Sequence, residues 1–219
     1  MSIAEKEKEL FESWEPQRKG FVKDGVVSEQ DYLKSGIKIC FILKEVNDDG
    51  EDGGGWDLRK YLYDGARGST WNNVVRWTRV IRAINENIHW HELEDVSDKH
   101  RKEQLRSICS MNLKKSPGGM TTVHWELDQA VIEDKEKLRH QYNLYDADIT
   151  ICGGTGWHML DVLDINRDEI KTTSRGVNYF TNTSGKPVLM YNHPAARTSH
   201  AMLTYSLLDA VREILKFTD

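Results

Sequence analysis

The 219 residues carry 30 Lys and Arg against 35 Asp and Glu, a formal net charge of −5, with 38% hydrophobic and 30% charged side chains. This composition suits one globular α/β domain with enough core to fold alone, and the acidic balance argues against a generic polyanion binder, whose affinity comes from clustered Lys and Arg. The opening "MSIAEKEKEL" is charged where a secretory signal is apolar, no run approaches the ~20 apolar residues of a bilayer span, and no Cys-x-x-Cys spacing exists, so a cytoplasmic protein without membrane or metal is expected.

In chain order, two charged helices are expected before residue 36, forming an N-terminal segment (1–35) packed on a domain of residues 36–219. From there apolar runs alternate with helical patterns, the signature of parallel strands joined by crossover helices. Strands are predicted at 37–43 ("IKICFIL"), 107–113 ("SICSMNL"), 147–153 ("ADITICG") and 187–192 ("PVLMYN"). Cys40, Cys109 and Cys152 lie in three of these runs, as small core hydrophobes. A helix capped by Ser69 or Thr70 follows the first strand, with Val74, Trp77, Val80, Ile81 and Ile84 on one stripe. Others are predicted at 121–141, 156–164 and 198–217, the last with Leu203, Leu207, Val211 and Leu215 facing inward.

Each unusual polar cluster falls just after a predicted strand: "KEVNDDG", "NLKKSPGG", "GGTGWH" and "NHPAAR". In open α/β sheets, ligands bind outside the carboxyl ends of strands, so these tips are expected to converge. The acid- and glycine-rich loop 47–57 fails the calcium-loop register, because Asp52 takes the glycine position and Leu58 the glutamate position counted from Asn47. Its middle, 48–54, reads as a solvated loop, but Glu45, just past a buried strand, pays desolvation unless it has a partner or a task. "GGTGW" resembles a phosphate-binding turn without the full glycine spacing, and tight strand-to-helix packing is the favoured reading. Residues 98–116 hold six cations (Lys99, Arg101, Lys102, Arg106, Lys114, Lys115) against two acids, which suggests a basic face. "HWH" (89–91) reads as surface histidines at a helix end.

Taken in order, "FILKEVNDDGEDGGGW", "SMNLKKSPGG", "ADITICGGTGWHML" and "VLMYNHPAAR" resemble the motifs of the uracil-DNA glycosylase superfamily over about residues 36–217. The resemblance implies a single three-layer αβα domain with a short, mostly parallel four-stranded sheet. It also implies a monofunctional DNA glycosylase, needing no cofactor, that hydrolyses the N-glycosidic bond of a flipped uracil or modified pyrimidine. The partner expected is DNA carrying that base, bound by a monomer, in repair or in defence against foreign modified DNA. In the first motif Val46 occupies the usual Asp or Asn position and Glu45 precedes it, as in branches that bind an iron–sulfur cluster through four cysteines, which this chain lacks.

Carried over residue by residue, the catalytic candidates are Glu45, stabilising the cationic sugar and orienting water, Asn47, assisting it, and His193, hydrogen bonding to the anionic base. Pro194 would set the turn that aims His193. Trp56 would stack on the base and Asn112 read its edge, while Lys114, Lys115 and Ser116 hold the DNA backbone and Arg197 wedges into the duplex. Trp56 can also be read as core, Arg197 as a surface charge, and His200 as structural or phosphate-facing. Two rival classes are a nucleotide-binding α/β protein using "GGTGW" and a catalytically degenerate glycosylase fold that only binds nucleic acid.

Overall fold

The computed structural model describes residues 1–48, 53–119 and 121–215. Its centre is four parallel strands, β2 (Ile39–Leu43), β3 (Cys109–Asn112), β4 (Ile149–Gly153) and β7 (Pro187–Tyr191), in the spatial order β3-β2-β4-β7. These are the four apolar runs of the sequence. They run almost without polar interruption because both sheet faces are covered, so neither side of a strand needs to meet water.

The sheet is wider than four strands. A two-residue β1 (Gly25–Val26) pairs antiparallel with β3, and β5 (Lys171–Thr172) and β6 (Asn178–Thr181) form an antiparallel hairpin beside β7, making a mixed seven-stranded sheet. The expectation of four strands is corrected for a physical reason. β1 and β5 are two-residue edge strands and β6, between β7 and β5, is four residues with only Phe180 buried, so none carries an apolar run long enough to read.

Helices cover both faces. Ile39, Phe41, Leu43, Ile149, Ile151 and Leu189 point to one face, packed by α3 (Leu58–Tyr63), α4 (Ser69–Arg82), α5 (Trp90–Glu94), α6 (Asp98–Arg106) and α9 (His200–Ile214). Cys40, Ile42, Met111, Cys152 and Val188 point to the other, packed by α1 (Ile3–Trp14), α7 (His124–Tyr145) and α8 (Gly156–Leu163). The alternation is the period-two geometry of a strand, and all three cysteines are buried and free. The α4 stripe is buried as expected, but its N-cap is Gly68 at φ +96°, with no side-chain cap from Ser69 or Thr70. The short helices α3, α5 and α6 were not legible; α6 buries only Leu105 among nine residues. Among the described residues no helix is long and apolar enough to cross a membrane.

The N-terminal segment packs on the domain through Phe11 and Trp14 of α1, but it also supplies α2 (Glu29–Lys34) and β1, so it belongs to the same sheet. It brings in buried charge as well. Glu7, 1% exposed, accepts from Val26 N–H and pairs with Arg59. Gly25, at φ +126°, leaves room for it, since a Cβ there would sit 2.1 Å from Glu7 Oε1. Burial pushes the Glu7 carboxyl up to about 7, against the pull of Arg59. The folded state then holds this proton more tightly than the unfolded chain. Stability from this group is therefore complete below its unfolded pKa of 4.5 and is lost as pH rises through 7. Urea unfolding at pH 5 and pH 8 should show the wild type losing on the order of 1–3 kcal/mol more than Glu7→Gln across that interval.

Candidate active site

The chain runs outward from β2 to β3 and then crosses back to β4, so the crossovers diverge at the carboxyl ends of β2 and β4, the place where such sheets open a crevice. A cleft of about 630 Å³ lies there. Glu45 and Asn47 from the tip of β2, Trp56 from the following loop, Asn112 from the tip of β3 and His193 from the tip of β7 all line it, with Lys44, Trp71, Thr121 and Thr122. The tips expected to converge do so. The N-terminus of α4 (Gly68, Ser69, Thr70) faces the same space with no side-chain cap.

Glu45 is the most confined of these groups. Its side chain is 4% exposed, and Oε2 lies 2.8 Å from Lys114 Nζ. Lys114 meets Oε2 alone, so Oε1 is buried without a partner among the described residues. The backbone of Gly118 lies against this carboxylate, where an added Cβ would be 2.3 Å from Glu45 Cδ. That approach follows from a bridge between Asn47 and Gly118, with Gly118 N–H donating to Val46 C=O at 2.9 Å. Asn47 itself stands at the exposed rim, while Val46 packs into the core.

Asn112 is 2% exposed. Its backbone N–H donates to Asp24 Oδ2 at 2.8 Å, and its side-chain Nδ2 has no partner among the described residues. A buried amide left open costs free energy comparable to a lost hydrogen bond, so a donor aimed at a cleft marks a place for an acceptor on a ligand. Trp56 is held edge-on to Tyr61, and its indole N–H donates to Asp48 Oδ2 at 2.7 Å. It is partly buried against the core and also lines the cleft. Residues 49–52 of the glycine-rich loop lie outside the described residues, as do Met120 and residues 216–219 of the last predicted helix.

His193 accepts the Ala195 N–H at Nδ1, 3.1 Å away. In the neutral ring the proton must then sit on Nε2, which becomes the donor. Burial, and next the charge of Lys44, holds the imidazole below its ordinary pKa, so this neutral form prevails near pH 7. The turn is fixed from behind. Asn73, fully buried on α4, donates from Nδ2 to Pro194 C=O at 2.6 Å and contacts His200 Nδ1 at 2.8 Å, while Arg76 holds its Oδ1. His200 is thereby a structural residue. Gly153 admits Pro194, which would lie 3.0 Å from an added Cβ. Gly156 likewise packs on Met190, at 2.6 Å from an added Cβ, so the "GGTGW" glycines serve close packing.

The DNA-backbone assignments need correction. Lys115 is fully buried, its Nζ 2.7 Å from Asp24 Oδ1, and cannot reach a phosphate. Lys114 is engaged by Glu45 and Glu126, at 2.8 and 2.9 Å, rather than left for DNA. Spacing alone placed both lysines on a turn; the buried acids that claim them come from residues 24, 45 and 126. Ser116 is half-buried beside Arg18 and Trp125, away from the cleft lining, and Arg197 is exposed without an ion pair among the described residues. Of the other cations in 98–116, Lys99 and Arg101 pair with Glu103 and Asp98, Arg106 stacks on Tyr63 at 3.9 Å, and Lys102 is exposed. His89 and His91 are exposed at the start of α5, as expected.

Residues that the sequence did not single out hold this site: Asp24, Asn73, Gly118 and Glu126. None sits in a recognisable motif; only Gly118, in a Pro-Gly-Gly turn, gave a local signal. Fold and site together define an α/β protein with a polar cleft at the carboxyl ends of its parallel strands. No protein-family model matches the chain, and no curated protein sequence matches it.

Proposed function

We propose that this protein is a DNA glycosylase that hydrolyses the N-glycosidic bond of a flipped uracil or modified pyrimidine and leaves an abasic site, in repair or in defence against modified foreign DNA. The observation that carries the reading is the meeting, in one cleft, of a buried carboxylate with one oxygen free, a buried amide Nδ2 without a partner among the described residues, and an imidazole N–H, each from a different strand tip.

Each group has a step to perform. The extruded base stacks against Trp56 and hydrogen bonds along its edge to Asn112, which recovers the few kcal/mol spent on unstacking. As the C1′–N bond breaks, its electron pair leaves with the base. His193 Nε2–H hydrogen bonds to the developing anion, in the manner of an oxyanion-hole donor. Glu45 faces the positive charge growing on the sugar and orients a water. The water oxygen bonds to C1′, and its released proton ends on the departing base after exchange with solvent. A neutral imidazole suffices for this electrostatic role. Arg197 and the α4 N-terminus are the groups left to meet the DNA backbone, together with Lys44 and Arg67 at the cleft.

A panel of duplex and single-stranded oligonucleotides carrying uracil, hypoxanthine or modified cytosines, treated with alkali after incubation, tests the proposal. At least one pyrimidine substrate is expected to yield alkali-labile strand breaks. Binding of DNA with no breaks across the whole panel would favour the degenerate binding fold, and binding of free nucleotides alone would favour the nucleotide-binding class.

A further inference from the structure

The ladder between β2 and β3 continues past the last paired residues. Leu113 and Lys114 N–H donate to the Leu43 and Lys44 carbonyls at 3.0 and 2.9 Å, which sets Lys114 beside Glu45. The Lys114 ammonium then stands between two carboxylates, 2.8 Å from Glu45 Oε2 and 2.9 Å from Glu126 Oε2 on α7. Its side chain is 13% exposed, and that of Glu45 is 4%. Burial alone would lower the lysine's proton affinity, but the two carboxylates outweigh it and raise it, so the group stays charged.

A carboxylate taken out of water without a counter-charge picks up a proton. Here the counter-charge is present on one side only, at Oε2, and Oε1 has no partner among the described residues. Gly118 confines the carboxylate from the other side. Among the described residues, the charged and titratable groups near Glu45 are its neighbour Lys44, Lys114 with Glu126 behind it, and His193 and Arg67 on the same cleft lining.

We infer that Lys114, held in place by Glu126, is a positioning residue that supplies the counter-charge of the Glu45 carboxylate at Oε2 and leaves Oε1 to hold the attacking water. This rests on the glycosylase reading of Glu45. The test compares Lys114→Met, Lys114→Arg and Glu126→Gln with the wild type by two readouts. One is the single-turnover rate of base release from pH 5 to 9. The other is the pH titration of the Glu45 side-chain carboxyl carbon, followed by NMR in the whole protein, which needs no turnover.

Lys114→Met should move both the acid limb of the rate and the Glu45 titration upward by about one pH unit or more. Its rate should recover toward that of the wild type above the new limb. Lys114→Arg should keep the wild-type profile, and Glu126→Gln should shift it in the same direction by less. A Glu45 titration unchanged in Lys114→Met overturns the inference. If that variant fails to fold by circular dichroism, Glu126→Gln decides, with no shift counting against. Should the wild type release no base from any substrate, the glycosylase reading fails, and the NMR titration still judges the role of Lys114.

Discussion

His193→Ala and Glu45→Gln proteins are expected to bind substrate DNA within a few-fold of the wild type and to release base about 10²–10³ times more slowly, the size of losing one preorganised donor at a developing charge. The ring N–H of His193 is fixed by the Ala195 amide at Nδ1, and Glu45 lines the cleft with Oε1 unpartnered among the described residues. Each substitution therefore removes an interaction made in the transition state more than in the ground state. Single-turnover rates beside equilibrium binding measure the split. The sign of the pH dependence follows from the lowered pKa of His193, which burial and Lys44 hold below 6.5. The imidazole is then already neutral above that pH, so the rate should not fall as pH rises from 6.5 to 8. A mechanism needing the imidazolium would lose about tenfold per pH unit there. Unchanged turnover in both variants would remove these residues from the chemistry.

Asp24→Ala should be the most destabilising single change near the cleft. Asp24 Oδ1 accepts from Lys115 Nζ and Gln141 Nε2, and Oδ2 accepts from Asn112 N–H, all at 2.7–2.8 Å. Both members of the Asp24–Lys115 pair are fully buried. Truncating the acid strands an ammonium and an amide in the interior, a loss of about 3–5 kcal/mol. In a chain of this size that lowers the melting temperature by roughly 6–20 °C. Lys115→Met should cost less, because the carboxylate it leaves keeps the Asn112 and Gln141 donors and the thioether fills the volume. Urea unfolding of the two variants side by side gives the comparison, and equal losses would refute this ordering. Asp24→Ala also frees the backbone N–H of Asn112, so a fold stabilised by Asp24 is also a site aligned by it.

Lys115 shows how a motif can mislead. Adjacent lysines before Ser-Pro-Gly-Gly have the composition of a phosphate-binding turn, yet one is in the core and the other faces a carboxylate. Only the positions of Asp24, Glu45 and Glu126 tell these outcomes apart, and they lie 91, 69 and 12 residues from the nearer or relevant lysine along the chain. The Gly153–Gly156 turn went the other way, because close packing of a strand tip on a helix start is a local demand that glycine spacing already reports.

By itself the sequence determined the α/β class, the four central strands, the α4 and α9 apolar stripes and the strand-tip location of Glu45, Asn112 and His193. Each of these follows from local periodicity and from where polar residues interrupt it. Tertiary structure alone decided the three short added strands, the pairing of both lysines, the Nε2–H form of His193 and the turn support from Asn73. These depend on which groups from distant segments meet where water is excluded, and in that setting a charge or an amide is defined by its partner rather than by its neighbours in the chain.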